Sequence, residues 1–436
     1  AGSDTDAREA EDIDQRIKKD RASQAGARWA KRGVEHGGRY NARNQHFALR
    51  IVLMPRFSRM TLIASLLLAT GLAQADIKIG VVASSTGPTA VVGIPQKNTV
   101  ALLPNEIAGQ RIEYIVLDDA SDPTHAVTGV KKLLAEYKVD ALIGPTTTPA
   151  ALAILDFVAD SKTPLLTTVG SSSVVLPMDE KRKWVFKTTQ NDSLIAEAVL
   201  AHMTAAGIKT LGFIGFNDPY GENWYKVFTP MAEKAGIRVV ASERFNRTDQ
   251  SVTGQVLKVI TARPDAVFIA ATGGPAVLPQ AGLLDKGYKG KVYQTHGVAT
   301  NDFIRLGGKA VEGTLMAGGP MLVAGDLASN NPIKPVALGY IKAYEANHGV
   351  GSMSTFGANT FDAGLLLKKA IPDALKKAKP GTPEFRVALR DALEQAKEVV
   401  GAQGIFNMTA QDHNGMDQRA RVMMTVQGGK WTLLKE

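Results

Sequence analysis

The stretch ALIGPTTTPAALAILDFVADSKTPLLTTVGSSSVVL, residues 141–176, decides the fold. Its pattern predicts a strand at 141–143, a threonine-rich turn, a helix that Pro149 opens, and a second strand at 165–169. Strands and helices that alternate in this way indicate an α/β fold with mostly parallel strands.

Both turns of this stretch carry side-chain hydroxyl groups. They contain Thr146, Thr147 and Thr148 after the first strand, and Gly170, Ser171 and Ser172 after the second. Open α/β sheets bind ligands at the carboxyl ends of their strands. Hydroxyls and backbone N–H groups there can hold a carboxylate without a formal positive charge. The sequence therefore predicts a site for a small anion, and the alternative is that these side chains only cap helices.

The same alternation continues outward along the chain. Further strands are predicted at 76–83, 111–117, 184–188, 211–215, 266–270 and 291–295, and helices at 124–137, 193–207, 333–347, 356–379 and 383–398. Residues 419–435 alternate as a hairpin does. A chain of 436 residues with this pattern is long enough for two domains.

Charge and cysteine content exclude several classes of protein. The net charge of +9 is uneven, because residues 76–436 carry 38 Lys and Arg against 34 Asp and Glu. No basic stripe is interleaved with aromatic residues, which argues against a nucleic-acid partner. The chain has no cysteine, so it has neither a disulfide framework nor a lipid-attachment cysteine.

Residues 54–75, MPRFSRMTLIASLLLATGLAQA, are typical of a secretory signal peptide. Arg56 and Arg59 precede an apolar run that ends in Ala-Gln-Ala, a small-residue cleavage site. We therefore expect an exported mature chain that begins at Asp76. Residues 1–53 are charged and lack an apolar period, so we interpret them as a disordered or artefactual extension.

Motifs for catalysis are absent from the sequence. It contains no G-x-S-x-G elbow, H-E-x-x-H helix, Walker loop or G-x-G-x-x-G fingerprint, and its seven histidines are scattered. The acidic turn of Asp118, Asp119 and Asp122 is better explained by helix capping and solvation than by a metal. We predict a non-catalytic protein without cofactor or metal.

An ordered set of motifs carries a family resemblance: ASSTGP, DDASDP, LIGPTTT, PLLTTVGSSS, FNDPYGENW and THGV. In this order and spacing, over about 360 residues from Ile77, the set resembles the periplasmic substrate-binding proteins of ABC importers, branched-chain amino acid type. The resemblance implies a type I periplasmic binding fold. Two α/β lobes, each a mostly parallel sheet flanked by helices, would be joined by three hinge crossings. Lobe 1 would comprise 76–192 and 322–403, and lobe 2 would comprise 193–321 and 404–436.

The resemblance also implies further ligand contacts. A first-lobe turn would contribute Ser85 and Thr86, for which helix capping is the open alternative, and Val92 would face the ligand's side chain. In the second lobe Tyr220 would pack over the ligand. The remaining contacts would come from Thr272, Gly273 and His296.

His296 departs from the family pattern. Amino-acid binders usually carry an acidic residue at the matching place, where it pairs with the ligand's ammonium. A neutral imidazole cannot supply that negative charge, and a protonated one would repel the ammonium. A carboxylate with a carbonyl or hydroxyl group, such as an aromatic or 2-oxo acid, therefore suits His296 better. The alternative is a structural histidine in a turn.

The sequence thus predicts a periplasmic receptor that closes on a small carboxylate and delivers it to the membrane subunits of an ABC permease. An aromatic or 2-oxo acid is favoured, and a branched-chain or other aliphatic amino acid is the close second. A sensory module of the same fold is the alternative function. We expect a monomer.

Overall fold

The computed structural model describes residues 76–434, and the predicted signal peptide and the extension before it lie outside the described residues. The first part of the chain builds a six-stranded sheet. Its strands are β1 (Ile77–Ala83), β2 (Glu106–Ile107), β3 (Gln110–Asp118), β4 (Ala141–Ile143), β5 (Leu165–Thr167) and β6 (Val185–Lys187). The strand order is β2-β3-β1-β4-β5-β6, and every pair is parallel except β2 with β3.

Both faces of this sheet are buried, as the apolar runs predict. In β1, Ile79 and Val81 belong to one core cluster and Val82 belongs to another, because successive side chains point to opposite faces. The helices that follow these strands are α1 (Ala90–Thr99), α2 (Pro123–Lys132), α3 (Thr148–Ala153) and α4 (Leu155–Asp160).

A second sheet of seven strands follows. Its strands are β7 (Thr210–Phe216), β8 (Arg238–Phe245), β9 (Ala266–Ala270), β10 (Lys291–Gln294), β11 (Leu315–Gly318), β14 (Val422–Gln427) and β15 (Lys430–Leu433). The order is β15-β14-β11-β10-β9-β7-β8, with only β14 and β15 antiparallel to their neighbours. The predicted C-terminal hairpin is therefore confirmed. The helices of this part are α5 (Asp192–Ala205), α6 (Pro219–Lys234), α7 (Thr253–Thr261), α8 (Val277–Asp285) and α9 (Asn301–Gly307).

The remaining elements lie between β11 and β14 in sequence. They are α10 (Ile333–His348), α11 (Thr355–Leu375), α12 (Pro383–Glu394) and the short strand pair β12 (Val399–Val400) and β13 (Ile405–Phe406). Helices α11 and α12 bury their apolar faces in the same core cluster as β1, so the chain returns to the first sheet after building most of the second. The α/β fold with two lobes is confirmed.

The lobe boundaries stay a proposal, and we propose one change to them. The His413 ring stacks on Phe186 of β6 at 4.1 Å between ring centroids, and Asn414 Nδ2 donates to the Lys187 carbonyl oxygen at 3.1 Å. These contacts favour a third crossing after Asn414 rather than at 403–404.

Two local differences from the predicted elements bear on function. Strand β5 ends at Thr167 rather than at 169, because its neighbours β4 and β6 are each three residues long. The helix predicted from Pro149 is divided into α3 and α4 at Ile154. No helix within 76–434 is long and apolar enough to cross a membrane.

Candidate functional site

A cavity lies between the two sheets, at the carboxyl ends of their strands. The empty space within it, counted together with space open to solvent, is about 420 Å³. The lining residues are Thr89, Val92, Thr146, Thr147, Thr148, Thr168, Val169, Gly170, Thr189, Tyr220, Arg247, Thr272, His296, Gly297 and Phe356. Eight predicted site residues are among them: Val92, Thr146, Thr147, Thr148, Gly170, Tyr220, Thr272 and His296.

The threonine turn after β4 supplies part of the first-sheet wall. Gly144 begins it at φ +105°, and a Cβ there would lie 2.0 Å from the Val82 carbonyl oxygen, so only glycine fits. Thr147 caps α3, because its Oγ1 accepts from the Ala150 N–H at 3.4 Å. Thr147 therefore acts as a helix cap, as the alternative interpretation expected. Its hydroxyl hydrogen has no acceptor among the described residues and is available to a ligand. Thr148 Oγ1 is buried and has no hydrogen-bond partner among the described residues.

A chain of hydrogen bonds fixes two other threonines of this wall. Thr146 Oγ1 accepts from the Ser84 N–H at 2.8 Å and donates to Gln96 Oε1 at 2.6 Å. Gln96 Nε2 donates to Thr168 Oγ1 at 2.9 Å, and Thr168 Oγ1 donates to the Pro145 carbonyl oxygen at 3.3 Å. Each hydroxyl has one hydrogen, so Thr146 and Thr168 can accept from a ligand but cannot donate to it.

Tyr220 is restricted in the same way on the second-sheet wall. Its Oη lies 2.8 Å from Thr295 Oγ1, and Thr295 Oγ1 donates to the Ala271 carbonyl oxygen at 3.0 Å. The Tyr220 hydroxyl must therefore donate to Thr295. Its ring faces the cavity, and its hydroxyl hydrogen is not available to a carboxylate.

His296 lies across the cavity from Gly170. Its side chain is buried, Trp224 packs against it edge-on at 5.8 Å between ring centroids, and neither ring nitrogen has a hydrogen-bond partner among the described residues. Burial and the positive charge of Lys187 lower the pKa of His296 to about 3. The imidazole is therefore neutral near pH 7, with one N–H donor and one acceptor nitrogen available.

Arg247 also lines the cavity, although the sequence analysis did not predict it as a site residue. Its Nε donates to Asp218 Oδ2 at 2.6 Å, its Nη1 donates to Thr272 Oγ1 at 2.9 Å, and its guanidinium carbon lies 4.2 Å from the centre of the Phe216 ring. It is the one charged residue in the described lining at neutral pH, and Asp218 is not part of that lining. Its position in the sequence could have indicated this place, because Arg247 lies two residues after the end of β8 and ligands bind at the carboxyl ends of parallel strands.

Ser85 and Thr86 lie elsewhere. Both are directed to Asp118, which accepts from the Ser85 N–H at 2.9 Å and from Thr86 Oγ1 at 2.8 Å. They are partly or fully exposed and do not line the cavity. Ser85 and Thr86 are therefore held by the neighbouring acidic turn, outside the cavity lining.

Three further predicted residues lie outside the lining. Ser171 is paired with Ser173, with 2.7 Å between their Oγ atoms, and the Ser172 N–H donates to Asp192 Oδ2 at 3.1 Å. Gly273, at φ +61°, lies beside the cavity rather than in its lining, and a Cβ there would be 2.8 Å from Val91 Cγ1 and 3.4 Å from Val92 Cγ2. The serine turn therefore contributes only Gly170 to the cavity, because β5 ends at Thr167 and brings Thr168 and Val169 into the lining instead.

The acidic turn forms no metal site within the described residues. Asp122 caps α2 by accepting from the Thr124 and His125 N–H groups at 2.7 and 3.0 Å. Asp119 accepts from Ser84 Oγ at 2.5 Å. Both carboxylates are thus engaged with the protein itself.

Comparisons with known proteins agree with this architecture. A family model described as "Periplasmic binding protein" matches residues 76–430. The Leu/Ile/Val-binding protein BraC3 of Rhizobium johnstonii is 26% identical over 360 residues, which are 79% of this chain and 90% of that protein.

Solved structures extend the likeness. An extracellular ligand-binding receptor from Rhodopseudomonas palustris HaA2 is 48% identical, with a TM-score of 0.80, and the match covers 83% of this chain and all of that one. A solute-binding protein of an ABC transporter from R. palustris, solved in complex with benzoate, is 20% identical with a TM-score of 0.71, covers 83% of this chain and 96% of its own, and supports the fold alone. The chain belongs to the periplasmic binding protein family, whose members are substrate-binding receptors rather than enzymes, and it is similar to the Leu/Ile/Val-binding proteins of that family.

Proposed function

We propose that this receptor captures a small carboxylate, an aromatic or 2-oxo acid in preference to a branched-chain amino acid, and delivers it to an ABC permease. One observation carries the proposal: the described lining contains the cationic Arg247 and no Asp or Glu. Asp218 and Thr272 each accept from one nitrogen of Arg247, and an anionic ligand can accept from the remaining guanidinium N–H groups. The ammonium of an amino acid would be buried without an oppositely charged partner, which is costly.

The available hydrogen-bond donors favour the same ligand class. Thr147, Thr148 and Thr272 each keep a hydroxyl hydrogen that no protein acceptor takes up among the described residues. Together with Arg247 they can surround a carboxylate on both walls. Hydrogen bonds to a charged acceptor in a closed cavity are about twice as strong as neutral ones.

The neutral His296 suits the other polar group of such a ligand. An imidazole with a free donor and a free acceptor can hydrogen-bond to a carbonyl or a hydroxyl, whichever the ligand carries. The ring of Tyr220 and the side chains of Val92 and Phe356 provide apolar contact for the ligand's body.

Capture requires movement of the lobes, because the lining residues come from both sheets. A ligand that touches both walls stabilises the closed arrangement by its extra affinity for that arrangement. The closed receptor, acting as a monomer, then presents its ligand to the permease. This mechanism needs no covalent step.

Matched ligand pairs test the proposal by isothermal titration calorimetry and thermal shift. Leucine carries an ammonium group where 4-methyl-2-oxopentanoate carries a keto oxygen. Benzoate carries a negative charge that benzamide lacks. We expect binding of the 2-oxo acid or of benzoate, and weaker or no binding of leucine and benzamide. Tight leucine binding would favour the amino-acid function that the relatives' names suggest, and would contradict our interpretation of His296.

Two arginine variants, one inside and one outside the cavity lining, test whether carboxylate binding depends on the charge of Arg247. Arg244 resembles Arg247 in that it pairs with a carboxylate, Glu222, and lies over the Tyr225 ring at 4.5 Å, but it does not line the cavity. Arg247→Gln should weaken carboxylate binding by roughly tenfold to a hundredfold. Arg244→Gln should leave it within about twofold. Equal effects of the two variants would contradict the assignment of Arg247.

A further inference from the structure

A second polar cluster lies outside the cavity lining and connects the two sheets. Asp192, the first residue of α5, has a fully buried carboxylate. Its Oδ2 accepts from the Ser172 N–H at 3.1 Å and from Asn223 Nδ2. Asn223 Nδ2 also lies 3.4 Å from Ser172 Oγ. We call Ser172, Asp192 and Asn223 the interlobe bridge.

The two donors of the interlobe bridge come from opposite sides of the cleft. Ser172 follows β5 in the first sheet. Asn223 lies on α6, which packs against β7 and β8 of the second sheet. Relative movement of the sheets must therefore separate Ser172 from Asn223. The complete bridge can exist only when the cavity is closed.

The carboxylate of Asp192 depends on these donors. Lys187 is near enough to interact electrostatically with Asp192, but its Nζ donates to the Thr189 and Gln190 carbonyl oxygens and to Asn191 Oδ1. Asp192 Oδ1 has no hydrogen-bond partner among the described residues. Burial raises the pKa of Asp192 to about 7, and the Ser172 and Asn223 donors counter that rise because they hydrogen-bond directly to the ionised form.

We propose that Asn223 is a positioning residue whose bond to Asp192 stabilises the closed arrangement, so that it sets how long a ligand is held without touching that ligand. The inference rests on capture by closure as proposed above. Substitution of Asn223 should shift the opening equilibrium equally for every ligand. Substitutions in the lining should instead change the preference between ligands.

Closure can be measured without any ligand, because the chain has no cysteine of its own. Ile94 of α1 and Asp302 of α9 both line an outer groove, and these helices belong to the first and the second lobe. With cysteines at these two positions, the rate of crosslinking by a short bismaleimide reports how often the lobes close. We expect Asn223→Ala to slow this crosslinking by roughly tenfold, the effect of losing one hydrogen bond to a charged group. Asn223→Asp should slow it further, because two carboxylates would then face each other.

Lys226→Ala, on the exposed face of the same helix, is the control and should crosslink at the wild-type rate. Circular dichroism establishes that each variant is folded. Benzoate and 4-methyl-2-oxopentanoate are then tested as probes, and Asn223→Ala should raise their dissociation rates by the same factor.

Equal crosslinking rates for wild type, Asn223→Ala and Asn223→Asp would overturn the inference. If neither probe binds the wild type but Asn223→Ala still slows crosslinking, the proposed ligand class fails and the interlobe bridge stands.

Discussion

A Cβ atom on Gly170 would lie 2.9 Å from Nε2 of His296, on the opposite wall of the cavity. The same atom would lie 3.3 Å from the Tyr220 ring. Gly170 therefore allows the two walls to approach as closely as they do. Because its φ is not in the left-handed region, alanine would be excluded by space rather than by backbone conformation.

We expect Gly170→Ala to weaken ligand binding by about tenfold or more, since an extra methyl group in a packed contact costs on the order of 1–3 kcal/mol. The cost falls on the closed arrangement, so the ligand-free melting temperature should change little. Titration calorimetry and thermal denaturation measure the two effects. Gly254→Ala is the control, because a Cβ there meets nothing within 4 Å. Unchanged affinity in Gly170→Ala would show that closure leaves more room than these distances indicate.

The hydroxyl of Thr148 is buried without a hydrogen-bond partner among the described residues, so its removal should lower ligand affinity without lowering the stability of the fold. Thr148→Val keeps the shape and removes the polar atom, so the ligand-free protein should be as stable as wild type or more stable. Carboxylate binding should fall by roughly tenfold, the effect of one lost hydrogen bond to a charged group. The exposed Thr261 at the end of α7 provides the control Thr261→Val. A loss of stability without loss of affinity would assign Thr148 a structural role.

His296 predicts a pH dependence with a definite sign. Its pKa is about 3 in the fold and near 6.5 in the unfolded chain, so between these values the unfolded chain binds the additional proton. The free energy of unfolding should fall with decreasing pH by up to about 1.4 kcal/mol per pH unit in that window. His296→Asn removes this contribution, so the stability difference between wild type and variant should change in favour of the variant from pH 6 to pH 4. Urea denaturation across that range measures it, and a constant difference would contradict burial of a neutral imidazole.

Asp362 on α11 fixes the segment that follows β12. Its two carboxylate oxygens accept from the Ala402 and Gln403 N–H groups at 2.7 and 2.9 Å, and burial raises its pKa to about 7. Asp362→Ala leaves both donors without a partner and should lower the free energy of unfolding by about 2–4 kcal/mol.

This loss depends on pH, because a carboxyl with a raised pKa stabilises the fold below about pH 4 and loses that contribution as the pH rises through 7. The destabilisation by Asp362→Ala should therefore be larger at pH 5 than at pH 8. Asp373→Ala, at an exposed position on the same helix, should leave the free energy of unfolding nearly unchanged at both pH values. A larger loss at pH 8 would contradict the predicted sign.

Much of the fold could be predicted from local sequence. Strand β9 is apolar throughout, β1 is apolar except for Lys78, and helix starts such as Thr382-Pro383 carry their own caps, so these elements are visible without tertiary information. The end of β5 was predicted two residues too late, because strand length depends on the partners β4 and β6. Because of this difference, ligand contacts were expected at Ser171 and Ser172, whereas Thr168 and Val169 line the cavity.

The sequence by itself determined the α/β alternation, the threonine turn and the place of Tyr220 and His296 after predicted strands, whereas the division into two lobes was implied by the family resemblance. The first three follow from apolar periodicity and turn chemistry, which act over a few residues. Only the tertiary structure decided which hydroxyls keep a free hydrogen, because Thr146 and Tyr220 give theirs to Gln96 and Thr295, 50 residues before and 75 residues after them. It also decided that Arg247 rather than Ser85 faces the cavity, because hydrogen bonding and charge pairing connect residues that are distant in the chain.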